Sequence, residues 1–337
     1  MTPAGRKWVA AWLFLCAGLA FAMVVVGGVT RLTHSGLSIV EWQPLVGAIP
    51  PLSEADWQAL FAKYRETPEF RLVNSDMGLE GFKTIFWWEY FHRLLGRAIG
   101  LVFLLPFLFF FITKRLERPL AWKLAAIFVL GALQGALGWY IVKSGLVDDP
   151  RVSHFRLTGH LGLALLILAA ELWVAFELLG SPPRPLNRVF LFLPALVFLM
   201  ALSGGMVAGL RAGRAYNTFP LMNGHIVPPE ILMIEPWWQN FFYNMATVQF
   251  VHRAFFWILA VLVPLAWRRL RAHVAANALL AIFVLQGALG IATLLLGVPV
   301  ALAAAHQGGA VLLLAAALWT AHAAGAGPAL THGRAAA

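Results

Sequence analysis

The sequence predicts an all-α integral membrane protein whose eight transmembrane helices form two duplicated four-helix bundles. Three observations carry this. Apolar residues make up 61% of the 337-residue chain and charged residues only 12%, too little polar surface to cover a water-soluble domain, so the solvent is largely lipid. Eight apolar runs approach or exceed the roughly 18 to 20 residues that a helix needs to cross a hydrocarbon core about 30 Å thick. Signals inside these runs recur in the same order in both halves of the chain.

Taken in order, the runs are Trp8 to Val29, Trp88 to Ile112, Trp122 to Val142, Leu157 to Leu179, Val189 to Leu210, Asn244 to Trp267, Val274 to Leu296 and Val298 to Ala321. The first follows only Arg6 and Lys7. It is too long for a secretory h-region, and Gly27, Gly28 and Thr30 make a poor cleavage site, so it reads as a retained span. So short a leader leaves no room for a mitochondrial transit peptide, and the expectation is a bacterial plasma (inner) membrane. The single cysteine, Cys16, lies in this run and excludes an intrachain disulfide or a cysteine metal cluster.

The net charge of +10 would suit a nucleic-acid binder, but its distribution does not. Basic residues gather in alternate connections: Arg6 and Lys7; Lys114, Arg115, Arg118 and Lys123; Arg184 and Arg188; Arg268, Arg269 and Arg271; and Arg334. The acids on that side are Glu117 and the helix-end pair Glu171 and Glu177, whereas the other connections mix both signs, with Asp148, Asp149, Glu230 and Glu235 among the acids. The lysine and arginine bias is modest, and it places both termini in the cytoplasm.

The internal repeat pairs Gly27-Gly28 with Gly204-Gly205, His92-Arg93 with His252-Arg253, the LQGALG of Leu133 to Gly138 with that of Leu285 to Gly290, and His160 with His306. The chain therefore divides into residues 1–180 and 181–337, two four-helix halves sharing one orientation in the membrane. Two long outer connections, Arg31 to Trp87 and Arg211 to Tyr243, carry the prolines Pro50, Pro51, Pro228 and Pro229 and read as matching caps. Trp87-Trp88 and Trp237-Trp238 close them where an aromatic interface belt belongs.

An ionisable residue inside a span is costly unless it faces a cavity or a partner. Helix rise places His92, His160, His252 and His306 in one layer, roughly 20 to 30 Å above the cytoplasmic boundary. Each half contributes two. Imidazoles projecting inward from facing helices can ligate iron above and below a porphyrin, so each half reads as one haem site. Gly96, Gly100, Gly159, Gly308 and Gly309 near these histidines would clear space for a flat macrocycle, and Arg93, Arg97 and Arg253 would pair with haem propionates. Against this, a lone membrane histidine is more often an interhelical hydrogen-bond partner, glycines serve helix packing, and arginines anchor helices at the interface. A zinc or copper site stays open as an alternative, although neither half adds a cysteine or an intramembrane carboxylate pair. His34, His154, His225, His273, His322 and His332 fall outside the repeat and carry less weight. Glu89, three residues before His92, has Gln249 as its counterpart before His252. An acid beside only one site favours chemistry there and electron storage in the other; the plainer reading pairs Glu89 with Arg93 or Lys83 at the headgroups.

Longer stretches carry a family likeness. GGVTRLTHSGLSIVEWQPLVGAIPP from Gly27 to Pro51, WWEYFHR from Trp87 to Arg93, RVSHFRLTGHL from Arg151 to Leu161, AGRAYNTFPLMNG from Ala212 to Gly224 and AHQGGA from Ala305 to Ala310 resemble the haem A synthase family, in its mitochondrial and alphaproteobacterial branch. The resemblance covers roughly residues 10 to 322. It implies oxidation of the position-8 methyl group of haem O, through an alcohol, to the formyl group of haem A. His92 and His160 would then frame the substrate haem with Glu89 essential beside it, and His252 and His306 would hold a haem b cofactor. Haem O synthase, cytochrome oxidase assembly factors and an electron donor are the implied partners, with the haem sites toward the outer face. Some relatives carry a cysteine pair in the first outer loop; this chain has none there, so a thiol electron route is not expected. Two rivals predict unmodified porphyrin: a di-haem membrane cytochrome b that only shuttles electrons, and a haem transporter or insertion chaperone.

Overall fold

The computed structural model describes residues 1–43, 46–147, 150, 152–180 and 188–325. Asp148, Asp149, Arg151, Arg184, His332 and Arg334, used above in the charge, motif and repeat arguments, lie outside the described residues, and the expected division after residue 180 adjoins the undescribed 181–187. Among the described residues, eight helices are long and apolar enough to cross a membrane: Pro3–Leu32, Leu79–Ile112, Arg118–Gly145, His154–Leu179, Phe190–Gly209, Met245–Leu270, Val274–Leu295 and Val300–Ala324, the first to eighth spans. The only strand-like pairing among those residues is an isolated bridge between Met222 and His225. The chain is a multi-pass, all-helical membrane protein.

Local chemistry sets the helix starts. Thr2 accepts a hydrogen bond from the Gly5 amide ahead of Pro3 at the first turn, and Asn244 accepts from the amides of Ala246 and Thr247 to open the sixth span. Pro106, Pro194 and Pro264 sit inside helices that continue through them, as membrane helices allow when neighbours re-satisfy the backbone.

The spans close into two rings. The first packs against the second and fourth, and the third against the second and fourth. In the other half the fifth packs against the sixth and eighth, and the seventh against the sixth and eighth. The rings meet where the first span touches the eighth, the fourth touches the fifth, and the fourth touches the eighth. Leu165, Leu168, Leu193, Leu259, Leu279 and Leu314 are buried in the core that joins them.

All but one of the spans begin and end within a few residues of the expected runs. The second starts at Leu79, well before Trp88, and its 34 residues make a rod about 51 Å long, well beyond the hydrocarbon core. Its projecting end explains the connection between the first and second spans, expected to be an outer cap, which is folded rather than looped. Ser53 and Asp56 form a reciprocal capping box that starts the helix Glu54–Arg65, and Pro68–Leu72 follows. Trp57 and Tyr64 from the former pack with Phe82, Ile85, Phe86 and Tyr90 of the second span into a separate buried cluster. The Trp57 and Phe86 rings meet edge to face at 4.9 Å. Trp87, expected in the interface belt, packs 5.7 Å from Trp57 in this outer cap, whereas Trp88, Trp237 and Trp238 are exposed.

Glu171 departs from expectation too. It was placed at a helix end, yet it is 2% exposed in the core of the fourth span. Glu177, two turns on, is the solvated acid and pairs with Lys123 at 2.6 Å.

Candidate functional site

Each of the four intramembrane histidines lies against a glycine of the span before it. A Cβ added at Gly27 would stand 3.4 Å from His92 Cε1, at Gly138 3.2 Å from His160 Cε1, at Gly204 3.2 Å from His252 Cε1, and at Gly290 2.8 Å from His306 Cε1. Glycine is the residue that lets a flat ring approach helix backbone this closely. The repeat extends to the partners: Gln134 Nε2 donates to the His160 carbonyl at 3.0 Å, and Gln286 Nε2 donates to the His306 carbonyl at 2.8 Å.

These pockets fit axial ligation of a haem iron. Nδ1 of His160 and Nδ1 of His306 are buried without a hydrogen-bond partner, and the rings of His160, His252 and His306 rest where a Cβ on the facing glycine would crowd them, whereas one at Gly27 would make ordinary contact with His92. Among the described residues no three His, Cys, Asp or Glu side chains gather as a metal-ion site, and each half offers two imidazoles, the number that a porphyrin iron takes axially.

The glycines expected to clear space for the macrocycle fall into two groups, those with neighbours, which include Gly96, where a Cβ would stand 3.5 Å from Met23, and those facing open space. A Cβ at Gly308 would meet Val25 and Phe21 of the first span, one at Gly309 would meet Gln286, and those at Gly100 and Gly159 would meet nothing within 4 Å. Gly308 thus serves helix packing, and the glycines against the histidines come from the odd-numbered spans. Reading LQGALG only as evidence of repetition passed over Gln134, Gln286, Gly138 and Gly290, although their recurrence was the available signal.

Glu89 is 2% exposed and holds the first outer loop. Its Oε2 accepts from Ser38 Oγ at 2.7 Å and from the Ile39 amide at 2.8 Å, and its Oε1 accepts from Arg93 Nη2 at 2.6 Å. Lys83 instead pairs with Glu80 and Glu54. Gln249 does the matching work in the second half, donating to the Tyr216 carbonyl at 2.9 Å. The arginines are loop clamps as well. Arg93 donates to the carbonyls of Glu41 and Ile39, Arg97 to that of Gln43, and Arg253 to those of Pro220, Leu221, Tyr216 and Thr218. Arg93 and Arg97 also line a recess with Ser38, Glu41, Gln43 and Lys63. Sequence reasoning missed Ser38, whose partner lies 51 residues away.

The outer cap holds a second buried acid, Glu69, 4% exposed. Burial, and then the charge of Glu89, pushes its carboxyl up to about 8. The Tyr64 hydroxyl donates to it at 3.4 Å and accepts from Asn74 at 2.7 Å.

Residues 10–318 match the family described as cytochrome oxidase assembly protein. The chain is 60% identical to the heme A synthase of Nitrosospira multiformis, covering 94% of this chain and 93% of that protein. It is 53% identical to the heme A synthase of Nitrosomonas eutropha over 92% of each, and 47% identical to that of Parvibaculum lavamentivorans over 95% of each. Identity of this extent, over the whole helical array and both histidine pairs, shows that the chain belongs to the haem A synthase family.

Proposed function

We propose that this protein oxidises the position-8 methyl group of haem O, by way of the alcohol, to the formyl group of haem A, for cytochrome oxidase biogenesis. The observation that carries the reading is the twice-repeated pairing of histidine with glycine in a chain similar to heme A synthases over nearly its full length. His92 and His160 hold the substrate haem in residues 1–180, and His252 and His306 hold a haem b in residues 181–337. The ring order of the spans supports two halves related by duplication.

When bound, haem b supplies a one-electron relay. The chain supplies position and proton handling. His92 and His160 fix the substrate plane, and the glycines opposite them let the rings sit close to backbone. Glu89 accepts a proton, or counters positive charge, as the methyl carbon is oxidised; its bonds to Ser38, Ile39 and Arg93 hold the carboxylate in one place. Since Arg93, Arg97 and Arg253 already bind loop carbonyls, propionates reaching them would sit under the loops those arginines clamp. Haem O synthase and oxidase assembly factors are the proposed partners, and a bacterial plasma membrane with both termini inside and the haem layer outward is the proposed setting.

The test is expression with a source of haem O, followed by chromatography and mass analysis of extracted haems. Haem A in the extract supports the reading. Unmodified haem alone, with the chain folded, would replace it with the electron-carrier reading.

A further inference from the structure

Beyond Glu89 and Gln249, the two halves differ beside a histidine ring at a position that the repeat makes comparable. Ser203 precedes Gly204 as Val26 precedes Gly27, and Gly204 and Gly27 are the residues facing His252 and His92. Ser203 Oγ lies 2.8 Å from His252 Nδ1 and donates its own proton to the Met200 carbonyl at 2.7 Å. With its hydrogen so committed, the serine oxygen is placed to accept from Nδ1–H beside the Met200 carbonyl that also faces the ring, an arrangement that favours the tautomer with Nε2 as the free lone pair. The Nδ1 atoms of His160 and His306 are buried without a side-chain partner, and the His160 ring is met instead at Nε2, 3.5 Å from Gln134 Nε2. Ser203 thus meets His252 at the ring nitrogen where those two histidines have no hydroxyl beside them.

We infer that Ser203 is a positioning residue that makes the second-half site the retained haem site, and that Val26 in its place leaves the first-half site exchangeable. A bond to the distal ring nitrogen fixes ring orientation and raises the basicity of the ligating nitrogen, strengthening the hold on ferric iron most. A substrate haem has to leave after reaction, so the site that turns over lacks this brace. The inference rests on the proposal that each half binds one haem.

The experiment uses the full chain purified with its haem, and follows haem transfer to apomyoglobin and the midpoint potential of the low-spin haem. Ser203→Ala should lose haem b about tenfold to a hundredfold faster and raise the potential by about 59 mV for each tenfold loss of ferric over ferrous affinity. Ser203→Thr should restore both, and Val26→Ser should slow release of the first-half haem by about tenfold. Wild-type retention and potential in Ser203→Ala overturn the inference. Should that variant not fold, an unchanged release rate in Val26→Ser overturns it instead. His252→Ala separates the two levels: if it empties the site while Ser203→Ala changes nothing, only the inference falls, whereas a low-spin haem surviving His252→Ala removes the underlying ligand assignment.

Discussion

Ser38 and Glu89 are joined by a 2.7 Å hydrogen bond in which the serine hydroxyl donates to a buried carboxylate, tying the first outer loop to the helix that carries His92. The same carboxylate is thus a loop anchor and the acid nearest the proposed substrate site. Glu89→Gln keeps the size and, with its Oε1 turned to Ser38 and Ile39, the loop anchor, while it sets an amide against Arg93 and removes the charge. Haem A formed per folded enzyme should fall about a hundredfold to ten-thousandfold, with second-half haem b unchanged. Haem O and the alcohol are measured together. Alcohol accumulation would assign Glu89 to the later oxidation, and a near-normal aldehyde yield would leave it only as an anchor.

Replacing His252 or His306 with Ala should remove the tightly bound haem b, since no neighbouring side chain offers an equivalent axial nitrogen. His154→Ala should leave the spectrum in place. The check is the low-spin absorbance of purified protein, and an unchanged spectrum in both variants would contradict the pair.

Gly290→Ala puts a methyl group 2.8 Å from His306 Cε1, a distance at which the ring has to shift. The expected outcome is the His306→Ala phenotype, lost haem b with the fold intact. Gly18→Ala in the first span, where nothing stands within 4 Å, is the control and should behave as wild type. Haem-to-protein ratio decides between them.

Glu69 should give the outer cap a pH dependence. Its folded carboxyl is raised to about 8 by burial and by Glu89, against about 4.3 in an unfolded chain. The folded cap therefore holds the proton more tightly. The stabilisation is fully present below the unfolded value and is lost as pH rises through the folded one. Limited proteolysis within Glu54–Leu72 should accelerate from about pH 5 to about pH 9, and Glu69→Gln should flatten the profile.

Reporter fusions placed after Arg118, Arg184 and Arg271 should all read as cytoplasmic, following the basic residues in those connections. An exported signal at any one would overturn the orientation.

Much of this was legible in the sequence because lipid imposes a simple rule: a helix must be apolar over a fixed length, so spans and their polar exceptions stand out. The four histidines are such exceptions, and repetition made them pairs. Glu171 was one too, but its nearness to the helix end let it pass as solvated. The outer cap was not legible, since Trp57, Tyr64, Phe82 and Phe86 are brought together by a helix that overshoots the membrane, and apolar run length does not report that overshoot. The arginines were read as propionate partners or interface anchors because their loop partners are carbonyls, and backbone acceptors leave no signature in sequence. Ser203 was hidden for the same reason that it matters: a single hydroxyl set against a valine is visible only once the rings and glycines beside them are superimposed.

The seam between the halves joins the first span to the last. Gln307 in the eighth span donates to the Val24 carbonyl of the first at 2.8 Å, across 283 residues, and Gly28 lies against the same glutamine. The first span thus takes the cover for this flank from the eighth, the farthest of the other spans along the sequence. Without the eighth span, the Val24 carbonyl loses the side-chain donor it has here and Gly28 loses the neighbour that a Cβ would strike.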